Sequence, residues 1–242
     1  MLLNLNRGEI LFLDIETVSQ HKHFSDLDPD EQDLWQEKSR FTRERREISL
    51  EESYAEAGIH AEFGKIVCVS VGYFSGNSDN RGFRTFSFYS DREDELLNEF
   101  ARMLRRNHNK PFRLLCGHNA KEFDFPYLCR RMLINRIELP AMLDIAGKKP
   151  WEIAHLDTME LWKFGDYKHY TSLRLLARVF GIPTPKDDID GSMVNEVYHN
   201  QHDLHRIETY CRKDVLTVAQ LFLSYRGERL LREDEIQTSV NA

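Results

Sequence analysis

The run Glu9-Ile10-Leu11-Phe12-Leu13-Asp14-Ile15-Glu16 is apolar on both faces of an extended strand until its end. With a period of two, Ile10, Phe12, Asp14 and Glu16 share one face, and Leu11, Leu13 and Ile15 share the other. A strand buried on both sides predicts the centre of a sheet covered by helices. Further strands are predicted over 65–74 and 82–89, with Gly76-Asn77-Ser78-Asp79-Asn80 as a hairpin loop, over 112–116, and near 153–156. A helix is predicted over 91–107, and another follows Asn119-Ala120-Lys121-Glu122-Phe123-Asp124, with Pro126 in its first turn. From 204 to 224 the period changes to 3.6, and Ile207, Tyr210, Cys211, Val218, Leu221 and Phe222 form the stripe facing the core. Residues 20–62 read as a polar helical insertion with a capping box at Ser49-Leu50-Glu51-Glu52. The last dozen residues are polar and are expected to fray. The pattern is α/β, a mixed five-stranded sheet flanked by helices, and 1–242 reads as a single domain without repeats or linkers.

Several acids interrupt these apolar patterns. Asp14 and Glu16 fill the last two positions of one strand face, where two carboxylates at i and i+2 repel unless a cation lies between them. A strand end emerging into solvent would also tolerate them. Asp214 lies on the core stripe seven residues after Ile207, and Tyr210 lies one turn before it on the same face. The alternative there is a hydrogen-bonded core aspartate with Tyr210 as packing. Asp124 suits a helix first turn on dipole grounds alone. The combination in this order, strand acids, helix-start acid and helix-interior Tyr-x-x-x-Asp, is more specific than its parts, and divalent metal is the simplest common partner.

On these residues the chain resembles the 3′-to-5′ exonucleases of the ribonuclease H-like fold called DEDD after their four acids. Tyr210 places the resemblance in the tyrosine branch; the histidine branch carries His five residues before the last acid, where this chain has Thr209. Residues 114–128 resemble the proofreading exonuclease domain of family-B DNA polymerases, as do Phe63-Gly64-Lys65-Ile66-Val67, Ser172-Leu173-Arg174-Leu175-Leu176-Ala177 and Asp190-Gly191-Ser192. The likeness covers 9–224 and is closest to stand-alone exonucleases related to that domain. It implies two-metal hydrolysis of phosphodiester bonds with Mg²⁺ or Mn²⁺, releasing nucleoside monophosphates from the 3′ end of single-stranded DNA. By that analogy Asp14 bridges two ions, Glu16 and Asp214 complete one site, Asp124 serves the other, and Tyr210 orients the attacking water. Thr17, Asn119 and Phe123 are the expected contacts to the terminal nucleotide, although each could equally be structural. An RNA 3′-end trimming enzyme, a binding module without chemistry, and a subunit working beside a polymerase or repair partner are the alternatives.

Charge complicates this picture without overturning it. The net charge is −7, unusual for a nucleic-acid enzyme, but bound cations and a local basic surface would suffice. Arg40, Arg43, Arg45 and Arg46 form one basic cluster and Lys148, Lys149, Lys163 and Lys168 another, each also readable as a solvated face. Trp35 and Phe41 in the insertion could stack on a strand or serve as scaffold. Asp157 reads as a helix cap at Thr158 or as support for the acids. Cys68, Cys116, Cys129 and Cys211 stand singly in apolar segments and are expected to be free buried thiols, and His21 and His23 lack partners for a zinc site. No apolar stretch is long enough to span a membrane and no signal peptide is evident, so a cytoplasmic location is expected.

Overall fold

Burial on both faces of β1 (Ile10–Ser19) sets the architecture of the computed structural model, which describes residues 2–76, 81–106, 112–166, 170–183 and 189–238. Leu11, Leu13 and Ile15 pack under α3 (Glu93–Arg105) and α4 (Asp124–Ile134), with Leu97, Phe100, Phe125 and Leu128 closing that side. On the opposite face Ile10 and Phe12 meet Val215, Val218, Ala219 and Phe222 of α8 (Leu204–Tyr225). Phe12 is the hub of this second layer, in edge contact with Phe74, Phe83 and Phe222 at centroid distances of 5.5, 5.9 and 5.5 Å. Such pairs add about 0.5–1.5 kcal/mol each beyond their buried area. Gly72, opposite Phe12, is required by this packing: a Cβ there would lie 2.5 Å from the Phe83 ring and 2.9 Å from Val215.

Around β1 the sheet is ordered β5-β4-β1-β2-β3-β6. Strand β2 (Gly64–Ser75) is antiparallel to its neighbours β1 and β3 (Gly82–Tyr89). Strands β4 (Leu114–Gly117) and β5 (Leu156–Asp157) run parallel to β1, and β6 (Ile236–Thr238) runs parallel to β3. The sheet therefore has six strands among the described residues. The sixth comes from the segment expected to fray: Ile236 pairs with Phe83 and packs on the α8 layer. Glu235 anchors it through Arg229 at 2.6 and 2.7 Å. The fifth strand is two residues long and lies slightly downstream of 153–156. Residues 77–80 of the expected hairpin loop, Asn107 at the end of the expected helix, and Lys168 fall outside the described residues.

The segment between β1 and β2 carries α1 (Pro29–Arg46) and the short α2 (Leu50–Tyr54). Both helices begin with reciprocal capping boxes, Asp28 with Glu31 and Ser49 with Glu52, each satisfying two backbone donors. Trp35 is buried here against Tyr54, His60 and Phe63 and donates to Ser53 Oγ at 3.1 Å, so it serves as scaffold. Phe41 is exposed, with the Arg40 guanidinium 4.8 Å over its ring. The remaining helices, α5 (Thr158–Lys163), α6 (Leu173–Val179) and α7 (Val194–Glu196), lead to a single π turn, Val197–Gln201, just before α8. Cys68, Cys116 and Cys211 are buried, Cys129 is half-buried, and all four are free thiols.

Candidate active site

Three elements converge at the carboxyl end of β1. Beyond Phe12 the strand outruns β4, whose pairing with it ends at Cys116, so the backbone of β1 is left open on that edge. The Ile15 N–H donates to Asp124 Oδ1 at 3.2 Å, which fastens the first residue of α4 beside Asp14 and Glu16. On its other edge β1 has a bulge against β2, where Glu16 faces Cys68 but Thr17 faces Ile66. Bulges concentrate beside active sites because they re-aim side chains.

The approach to α4 is held by Asp157, the N-cap of α5. Its Oδ1 accepts from Met159 N at 2.9 Å and Glu160 N at 3.3 Å, and also from Asn119 N at 2.9 Å, while Oδ2 accepts from Lys121 N at 3.0 Å. One carboxylate thus caps a helix and fixes the turn that delivers Asp124. Asn119 takes the left-handed conformation this turn needs, at φ +61. Gly117 lets the turn close against β1: a Cβ there would lie 2.5 Å from that of Ala120 and 3.1 Å from the Leu13 carbonyl.

From the third element, α8, Tyr210 and Asp214 project together, and the Tyr210 hydroxyl hydrogen-bonds the Asp214 carboxylate. All eight residues singled out in the sequence, Asp14, Glu16, Thr17, Asn119, Phe123, Asp124, Tyr210 and Asp214, line one open cleft of about 750 Å³. Phe123 is half-buried, tilted against Tyr127 at 5.3 Å. Asn119 Oδ1 is a buried acceptor with no donor among the described residues. The end of the insertion, with Gly58 and Ile59, forms one wall, and Tyr170, 71 % exposed, another.

The cleft crowds four carboxyl groups together. Burial, then the charges of Asp124 and Asp214, push the Asp14 carboxyl well above the usual range. Burial and the charges of Asp14 and Asp214 do the same to Glu16. Asp124 is pushed up to about 7, chiefly by burial, even though the Ile15 N–H favours its ionised form. Tyr210 is raised by burial and by Asp214, Glu16 and Asp14, so its phenol keeps its proton throughout the physiological range. Among the described residues lining the cleft there is no Lys or Arg. The first basic cluster is instead engaged locally, with Arg46 bidentate to Glu56 at 2.7 and 2.8 Å. Lys163 lies 3.9 Å from Glu122, and Lys149 stands over the Trp151 ring.

Carboxylates forced together without a counter-charge fit a hard divalent cation, which favours their ionised forms and takes oxygen ligands. Asp14 and Glu16 each bring an oxygen within 4.8 Å of the other and of Cys211 Sγ, the one such group found among the described residues. His21 and His23 belong to no such group.

Two contributors escaped the sequence reading. Asn195 Oδ1 accepts from the Ser19 N–H at 2.8 Å and the Ser19 hydroxyl at 2.9 Å, pinning the end of β1; the partners are 176 residues apart and no local pattern connects them. Cys211 reaches the strand acids, which its place three residues before Asp214 on one helix face could have suggested.

A family B DNA polymerase from the hyperthermophilic archaeon Pyrobaculum calidifontis shares this fold, with a TM-score of 0.53 and 16% identity over 90% of this chain. The matched region is 24% of that polymerase, so the chain spans about a quarter of its length. No curated protein matches the chain. Among the described residues no helix is long and apolar enough to cross a membrane. Residues 57–241, from the end of the insertion to beyond β6, match a family described as predicted 3′-5′ exonucleases related to the exonuclease domain of PolB, and the chain belongs to that family.

Proposed function

We propose that the chain removes nucleotides from the 3′ end of single-stranded DNA by hydrolysis, releasing nucleoside 5′-monophosphates. The observation that carries this reading is the convergence of Asp14, Glu16, Asp124, Asp214 and Tyr210 from three separate elements into one cleft. Asp14, Glu16, Asp214 and Asp124 are the residues that would hold two divalent cations, Mg²⁺ or Mn²⁺. When bound, such ions supply positive charge at the attacking and leaving oxygens and make water a stronger acid.

The chain's own groups position the reactants. In the reaction a water oxygen bonds to phosphorus, the bond from phosphorus to the 3′ oxygen of the penultimate nucleotide breaks, and that oxygen gains a proton. Tyr210 stays protonated and gives its hydrogen to Asp214, so its oxygen lone pair is free to accept from water. The phenol therefore orients the nucleophile and does not remove its proton. Thr17, Asn119 and Phe123 line the same cleft as Asp124 and are the residues that would meet a terminal nucleotide there.

Matched DNA and RNA oligonucleotides labelled at the 5′ end, incubated with Mg²⁺ or Mn²⁺, test the proposal, with Asp14→Asn as control. The expected result is a descending ladder on DNA that chelator and the substitution both abolish. A ladder on RNA alone would move the assignment to RNA trimming, and activity surviving excess chelator would overturn the metal-dependent mechanism.

A further inference from the structure

Cys211 lies behind the strand acids, within reach of both. Its Sγ, an Asp14 oxygen and a Glu16 oxygen lie within 4.8 Å of one another. An ion held at 2.0–2.3 Å from its donors spans at most about 4.6 Å between them, so a small side-chain adjustment closes the three around one ion. The thiol is held against the strand that carries both acids. It donates to the Asp14 backbone carbonyl at 3.4 Å and contacts the Cys68 thiol. The Cys211 side chain is fully buried, so it has no solvent alternative.

We propose that Cys211 converts the strand-acid cluster into a mixed thiolate–carboxylate site that takes a soft or borderline cation, zinc or cadmium, in competition with the hard cations of catalysis. The inference rests on the reading of Asp14 and Glu16 as metal-holding residues and adds a ligand of different chemistry to it. Thiolate favours zinc and cadmium, whereas magnesium takes oxygen. Binding replaces the S–H bond with a sulfur–metal bond, and the proton passes to solvent. A chain of this design loses activity to zinc or cadmium at concentrations where magnesium supports it.

The test is titration of the full chain with cadmium chloride in a buffer containing a phosphine reductant, followed by near-ultraviolet difference absorbance. One equivalent of cadmium is expected to produce a sulfur-to-cadmium charge-transfer band. Cys211→Ser should remove the band while Mn²⁺ binding, read by water-proton relaxation, persists; Cys116→Ser should leave the band intact. Glu16→Gln keeps the thiol and should raise the half-saturating cadmium concentration about tenfold or more, a second readout should Cys211→Ser fold poorly. A band of full size in Cys211→Ser overturns the proposal. A wild-type chain that binds Mn²⁺ without the band overturns the thiolate ligand alone, and one that binds neither ion overturns the metal reading as well.

Discussion

At the scale of the residue, the crowded cleft acids cost stability as they ionise. Folded Asp124 holds its proton up to about pH 7, against an ordinary value of 3.8. Between those values the folded state binds more protons than the unfolded one, so this group makes stability fall as pH rises through the window. Asp14 and Glu16 shift in the same direction. Buried His155 and half-buried His118 and His199 are lowered mainly by desolvation and act oppositely, adding stability as pH rises, so the acid contribution is read as a difference. Asp124→Asn keeps an acceptor for the Ile15 N–H and should stabilise the metal-free chain more at about pH 7.5 than at about pH 5. Thermal melts in chelator check this, and an equal effect at both pH values would contradict it. For Tyr210, whose proton is committed to Asp214, Tyr210→Phe should lower kcat by about 10–10²-fold with little change in KM, a smaller loss than Asp14→Asn causes. A kcat loss exceeding that of Asp14→Asn would remove the water-orienting role.

At the scale of the element, the acids converge because turns and strands hold them. Asp157 accepts four N–H groups from two segments, so Asp157→Asn turns an amide NH₂ toward donors and leaves at least one of them unpaired. We expect a loss of about 1–3 kcal/mol by urea denaturation, together with slower turnover as the Asn119 turn loosens. Behind the cleft, buried Glu93 accepts from Ile66 N at 2.7 Å and Arg131 Nε at 2.9 Å, while Arg131 also donates to the Ala61 carbonyl at 2.8 Å. This pair ties α3 and α4 to the end of the insertion. Arg131→Met leaves Glu93 as a buried charge without its partner and should cost about 3–5 kcal/mol by the same measurement. The long elements were legible because periodicity fixes their phase: β1 placed Asp14 and Glu16, and α8 placed Tyr210 and Asp214, on the correct faces. Strands of two or three residues such as β5 and β6 are too short to display alternation. Ile236, the only apolar residue of β6, is given its place by pairing with Phe83. The double duty of Asp157 depends on backbone donors 36 and 38 residues away, beyond the reach of a capping signal.

At the scale of the whole molecule, the proposed function asks a chain of net charge −7 with an acid-lined cleft to receive a polyanion. Much of its positive charge is spent internally, on pairs such as Arg46 with Glu56, Lys121 with Glu160, Arg226 with Glu228 and Arg229 with Glu235. Phosphate neutralisation by Lys and Arg is therefore sparse at the cleft, and under the proposed mechanism a divalent cation held by the acids would provide the attraction. Affinity for single-stranded DNA should then depend steeply on divalent cation and only weakly on monovalent salt. With two or three phosphates neutralised by side chains, log K should fall against log salt with a slope of about −1.4 to −2.1. Fluorescence anisotropy with an oligonucleotide whose terminal linkage is a cleavage-resistant phosphorothioate measures both dependences. Tight binding in chelator with a steep salt slope would place the DNA on a basic surface outside the cleft and break the link between the acid cluster and substrate capture.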